Sequence, residues 1–189
     1  ENISHLFVAP NYFLINLEGK VRLLSLSKYE FALNKIEMSI RLQNDITSQP
    51  LLLPLKITME KEHIKLCQYN ESIFKKMGIS LNFPASNAIQ VRQFPSMLRD
   101  KNISHCMDII LKALANHNFS ETDTNNDDLA TNDKISAVFA TLLQSESFDY
   151  HSAIALLNRR KNLSPAQINQ ALHLNSVMVD LRSEIKQLS

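Results

Sequence analysis

The chain has 189 residues, 44% hydrophobic and 21% charged, enough for one ordinary domain or two small ones, and this excludes wholesale disorder, collagen and a long coiled coil. Its only glycines are Gly19 and Gly78, which excludes the glycine-rich loops whose backbone N–H groups cradle phosphates in P-loop and dinucleotide-binding proteins. Twenty Lys and Arg stand against 19 acids for a net charge of +1, leaving no global basic field to drive non-specific DNA binding.

The N-terminal sequence alternates over 3–8 and 12–17, and a third run at 21–26 follows the turn Glu18, Gly19, Lys20. Period-two alternation around a glycine turn predicts a small antiparallel sheet. Ser27 is placed to cap a helix whose Tyr29, Ala32, Leu33, Ile36 and Ile40 recur along one face. The polar stretch 44–48 then reads as a crossing between subdomains.

Residues 51–59 read as a strand containing Pro54, and a residue that cannot donate to a ladder implies that this strand lies at a sheet edge or begins irregularly. A helix over 60–77 is expected to stop at Gly78. Ile79, Leu81 and Phe83, a turn at 85–87, then Ile89 and Val91 predict a hairpin. A helix follows with Ile103, Met107, Ile110, Leu111 and Leu114 at core spacing.

Residues 118–133 carry four aspartates and one glutamate among Ser, Thr and Asn and read as a mobile acidic surface loop. Ile135, Val138, Phe139 and Leu142 define the next helix, and Ile154 with Leu157 another. Ser164 and Pro165 cap and open a third. A strand at 177–181 and a short helix at 182–188 complete an α+β layout in which a middle block is inserted between an N-terminal sheet and a C-terminal helical part.

Few residue sets suggest chemistry. Cys67 and Cys106 have no C-x-x-C spacing and read as reduced, buried thiols of a cytosolic protein. His63 and Cys67 are four apart on a predicted helix, but a closed zinc site needs four ligands and none is nearby. His105 and Cys106 are adjacent and diverge on a helix, so they make no nucleophile and base pair. Glu60 and Glu62 suit a helix start, and Asp127 with Asp128 suits a solvated loop. Arg159, Arg160 and Lys161 read as a basic helix end, with a phosphate contact as the other reading. No catalytic or metal residues and no cofactor are assigned, and no apolar run reaches the roughly 18 residues of a membrane span.

The strip Gln49, Pro50, Leu51, Leu52, Leu53, Pro54 sets an amide before leucines and a proline on an expected edge. It reads either as a buried edge strand or as an extended recognition peptide.

The order of VRLLSLS at 21–27, QPLLLPLKI at 49–57, MGISLNF at 77–83, IQVRQFPSMLR at 89–99 and SVMVDLRSEIKQL at 176–188 resembles the C-terminal domain of the bacterial DNA mismatch-repair protein family MutL. The resemblance spans nearly the whole chain. With Glu1 as first residue, the chain is expected to be a piece of a longer protein whose ATPase lies in an N-terminal region.

The resemblance implies an internal dimerisation subdomain, residues 1–47 with 147–189, and an inserted external subdomain, residues 48–146. It implies a homodimer, with Phe13, Ile15, Leu24, Leu26, Leu181 and Ile185 as candidate interface residues. It implies that Gln49, Leu52 and Pro54 bind the replication sliding clamp, Gln49 as polar anchor and the other two as pocket fillers. The mismatch-recognition protein MutS, the endonuclease MutH and a DNA helicase are further implied partners, with DNA contacted through the full-length protein. The implied location is the bacterial cytoplasm, at the nucleoid during repair.

Many members of that family nick DNA with a D-Q-H-A-A-x-x-E-x-x-x-x-E motif on the first helix. Here that place holds Ser25, Leu26, Ser27, Lys28 and Tyr29, and no cysteine follows Cys106. Glu30 and Glu37 remain as acids. The departure implies a non-catalytic interaction module that joins two ATPase arms, the alternative being a metal-dependent nicking endonuclease with degenerate ligands.

Overall fold

The computed structural model describes residues 5–44, 46–116, 128–160, 162–180 and 186. Among them are two antiparallel sheets and seven α-helices, an α+β fold. The chain forms two compact units, 1–37 with 144–189, and 38–143.

The first unit holds β1 (His5–Ala9), β2 (Tyr12–Leu17), β3 (Lys20–Ser25) and β7 (Ser176–Met178) in the order β1-β2-β3-β7. Leu17 pairs with Lys20 across Glu18 and Gly19, both at positive φ, 54° and 75°. Such a pair of left-handed residues matches the twist of the flanking strands. The returning strand occupies 176–178 rather than the expected 177–181. Arg22 fastens it: Nε donates to Ser176 Oγ and Nη2 to the Ser176 carbonyl, both at 2.8 Å.

Helix α1 (Leu26–Arg41) begins one residue before Ser27, so Ser27 lies inside it and is not its cap. Its first backbone N–H, that of Leu26, donates to the Asn11 carbonyl. Helix α6 (Tyr150–Leu157) opens with an Asp149 and Ser152 capping box, and α7 (Pro165–Leu174) with Ser164 and Gln167 around a first-turn proline. These reciprocal bonds satisfy N–H groups that a helix start leaves without partners. Phe13, Ile15, Leu24, Tyr29 and Leu33 pack with Phe148, Leu156, Ile168 and Leu172 into one core.

The second unit holds β4 (Ser48–Thr58), β5 (Ser80–Ala85) and β6 (Ala88–Pro95) in the order β4-β6-β5. It also holds α2 (Lys61–Tyr69), α3 (Glu71–Lys76), α4 (Ile103–Asn116) and α5 (Asp128–Leu142). The helix expected over 60–77 is therefore two, broken at Asn70. That side chain is buried and its Nδ2 donates to the Leu66 carbonyl, which terminates α2. Gly78 ends α3 at φ 76°, as a left-handed C-cap position requires.

Residues 128–133, expected in the acidic loop, form the first turns of α5, whereas 118–127 lie outside the described residues. Thr131 is buried and starts the face that continues through Ile135, Val138, Phe139 and Leu142. A polar sequence thus joined the helix through one packed threonine. Met38, Leu42 and Ile46 belong to this second core with Phe74, Val91, Met107 and Ile110. The units accordingly divide at 37/38 and 143/144, against the expected 47/48 and 146/147.

Candidate functional site

The leucine strip lies on β4, one of the two edge strands of its sheet. Gln49 pairs with Phe94 and Pro50 with Gln93, but the next pair is Leu55 with Val91. Four residues, 51–54, therefore face the single residue Arg92. The ladder cannot absorb that excess, so the backbone bows outward. Leu52 is fully exposed and Leu53 is 84% exposed, while Gln49 stays half-buried on the ladder. Leu52 and Leu53 are thus large apolar side chains that the protomer's own core leaves uncovered.

A shallow groove of about 440 Å³ runs beside the bulge, with Leu52 and Pro54 on one wall and Asn82, Arg92 and Gln93 on the other. Gln93 Nε2 donates to Ser48 Oγ at 2.7 Å and ties β6 to the start of the strip. The wall is thereby fixed where the strip leaves the ladder.

The first unit presents a different surface. Direct cross-strand pairing aligns Leu6 with Leu14, Leu14 with Leu23, and Leu23 with Val177. Cross-strand partners project from the same face, so one apolar row crosses all four strands. Tyr12 and Val21 flank it. Leu6 is 63% and Val177 64% exposed. By the same parity Phe13, Ile15 and Leu24 project to the other face, where they and Leu26 are at most 1% exposed within the protomer's own core. These four expected interface residues are thus sealed inside one chain, and Leu181 and Ile185 lie outside the described residues.

The row was missed because β2 is apolar at both parities, Tyr12 and Leu14 as well as Phe13, Ile15 and Leu17. That doubled pattern was itself the available signal, since a strand apolar on both faces expects cover on both.

The acids of α1 are engaged. Both Glu30 carboxylate oxygens accept from Ser145, one from its backbone N–H and one from its hydroxyl, each at 2.8 Å. Glu37 accepts from Arg159 Nε at 2.8 Å and Nη2 at 2.7 Å, a bidentate pair. Burial raises the pKa of the Tyr29 phenol, against the opposing pull of Arg160 and Arg159. Arg160 Nη1 donates to the Leu157 and Arg159 carbonyls, so it caps the end of α6. Glu30, Asn34 and Glu37 share one buried stripe that the apolar spacing alone did not reveal.

Elsewhere His63 is exposed while Cys67 is buried, and burial pushes the Cys67 thiol up to about 11. Burial also raises the Cys106 thiol, against a smaller pull from Lys101. Among the described residues no three His, Cys, Asp or Glu side chains gather as a metal site, and no helix is long and apolar enough to cross a membrane.

Residues 6–141 match the family model described as the MutL C terminal dimerisation domain. The chain belongs to the MutL C-terminal domain family. It is 31% identical over 190 residues to a protein of Colwellia psychrerythraea named DNA mismatch repair protein MutL, covering 95% of this chain and 28% of that protein. Proteins of the same name from Yersinia pestis and Yersinia pseudotuberculosis are 36% identical over 115 residues, 61% of this chain and 18% of theirs. The chain thus spans about a quarter of the length of the Colwellia MutL relative it matches.

Proposed function

We propose that this domain is a non-catalytic homodimerisation and partner-binding module of a mismatch-repair protein. The observation that carries the proposal is the apolar row Leu6, Leu14, Leu23 and Val177 across the open sheet. A second copy covers it by two-fold symmetry, which presents the same patch from both sides. Fully burying an aliphatic side chain contributes roughly 1.5–3 kcal/mol. Symmetry doubles that sum, which is set against an association cost of roughly 4–15 kcal/mol. Two such rows supply the required scale.

In the full-length protein this joint holds two ATPase arms together. Gln49, Leu52 and Pro54 form the second surface, which docks on the replication sliding clamp. The exposed leucines fill an apolar pocket of the clamp, and the half-buried Gln49 fixes register. MutS, MutH and a DNA helicase are further partners of the assembled protein, which works in the bacterial cytoplasm at the nucleoid.

Glu37 is the one acid at the matching end of the incision motif, and Arg159 neutralises it through two donors of its fork, Nε and Nη2. Glu30 is bonded to Ser145 through both oxygens. That engagement supports a binding role over nicking. Sedimentation or light scattering on Leu14→Arg tests the dimer surface directly, with conversion of dimer to monomer as the expected result.

A further inference from the structure

The groove beside the strip carries a cation whose surroundings are otherwise neutral. Arg92 is the β6 residue that faces the four-residue bulge, and its side chain is exposed. With the Asn82 amide turned so that both of its ends are satisfied, Arg92 Nη1 donates to Asn82 Oδ1 at 3.3 Å while Asn82 Nδ2 donates to the Leu81 carbonyl at 3.1 Å. Among the described residues Arg92 has no carboxylate partner.

A guanidinium has five N–H donors in a planar fork, and the one contact here is to a neutral amide. That amide, anchored to the β5 backbone, steadies the side chain over the groove and so reduces the entropy lost when a partner binds. The rest of this wall, Ser80, Asn82 and Gln93, is uncharged. Leucines seated in a pocket supply attraction with little discrimination, because any apolar cleft of suitable size accepts them. A cation beside them does discriminate, since covering it with a neutral surface strips its water without replacement, whereas a carboxylate replaces that water with two charge-assisted bonds.

We infer that Arg92 is a specificity-determining residue of the strip's interface, pairing with a carboxylate on the sliding clamp at the rim of the pocket that receives Leu52. The inference rests on the reading of 49–54 as the clamp-binding strip. Steering by this charge makes association sensitive to salt, while the leucines set how long the complex lasts.

The test is binding of the dimeric domain to the sliding clamp of the same organism by surface plasmon resonance, at low and high salt, for Leu52→Asp, Arg92→Ala, Arg92→Lys and Arg92→Glu. Thermal melting of each variant confirms folding. Leu52→Asp is expected to abolish binding, and Arg92→Glu to weaken it roughly tenfold or more at low salt with a flatter salt dependence. Arg92→Lys keeps the steering but loses the bidentate geometry, so its loss is smaller. Exchange of the clamp's rim acid for lysine should restore Arg92→Glu. If Leu52→Asp abolishes binding while Arg92→Glu and Arg92→Ala bind like the parent, the role of Arg92 is overturned and the strip stands. If Leu52→Asp binds like the parent, the strip reading fails and the inference falls with it.

Discussion

Arg159 grips Glu37 with two parallel hydrogen bonds of 2.8 and 2.7 Å across 122 positions of sequence. The pair closes the return of the chain onto α1 within the first unit. Its Glu37 side chain is 9% exposed and that of Arg159 27%, so solvent screening is incomplete. Removing one partner leaves a largely buried charge, which in fully buried pairs costs roughly 3–5 kcal/mol. Partial exposure reduces this for Arg159→Ala to roughly 2–3 kcal/mol, measured as a fall in urea midpoint at unchanged slope. Glu37→Gln with Arg159→Met should recover much of the loss, because neither charge is then stranded.

The same engagement gives an activity prediction. With Glu30 and Glu37 both bonded inside the fold, manganese and supercoiled plasmid should yield no nicks with the purified domain. Accumulation of open-circular product that scales with protein and vanishes on chelation would establish the endonuclease reading instead.

Gly78 and Gly19 separate two costs of a left-handed residue. Both sit at φ near 75°, where an alanine costs roughly 1–2 kcal/mol. A Cβ at Gly19 meets open space, whereas at Gly78 it lies 3.2 Å from Ile46 Cγ2 and Ser48 Cβ. Gly78→Ala should therefore destabilise more than Gly19→Ala, and equal melting temperatures would show that the neighbours of Gly78 yield freely.

Much of this architecture was legible because its cause is local. Gly78 ends a helix, Ser164 and Pro165 start one, and Pro54 announces a strand that lies at an edge or begins irregularly. The size of the bulge was not legible, since it depends on which β6 residues pair with Pro50 and Leu55. Nor was the parity of β2, because apolar residues line both of its faces and only the packing of Phe148 and Leu172 shows which one is core. Glu30 and Glu37 find partners more than 100 positions away. Spacing along α1 can show that they share a side, but not that Ser145 and Arg159 wait there.

Cys67 supplies a pH prediction. Its thiol ordinarily ionises at 9.0, and in the fold burial raises this to about 11. The protonated thiol is compatible with the core, so its contribution is fully present below pH 9. As pH rises from 9 toward 11 the unfolded chain gains stability by releasing the proton, and the contribution is lost. Native Cys67 should accordingly resist alkylation at pH 8 and react only on unfolding. Cys67→Ala should flatten the alkaline limb of the stability profile.

The central claim is that the open face of the four-stranded sheet joins two copies of this chain. Light scattering behind a sizing column, over a wide dilution series, measures it most directly on the parent domain, Leu14→Arg and Val177→Arg, with circular dichroism confirming the fold of each. The account predicts a dimer for the parent that persists on dilution and folded monomers for the variants. A monomeric parent at every concentration, or folded variants that remain dimeric, would contradict it.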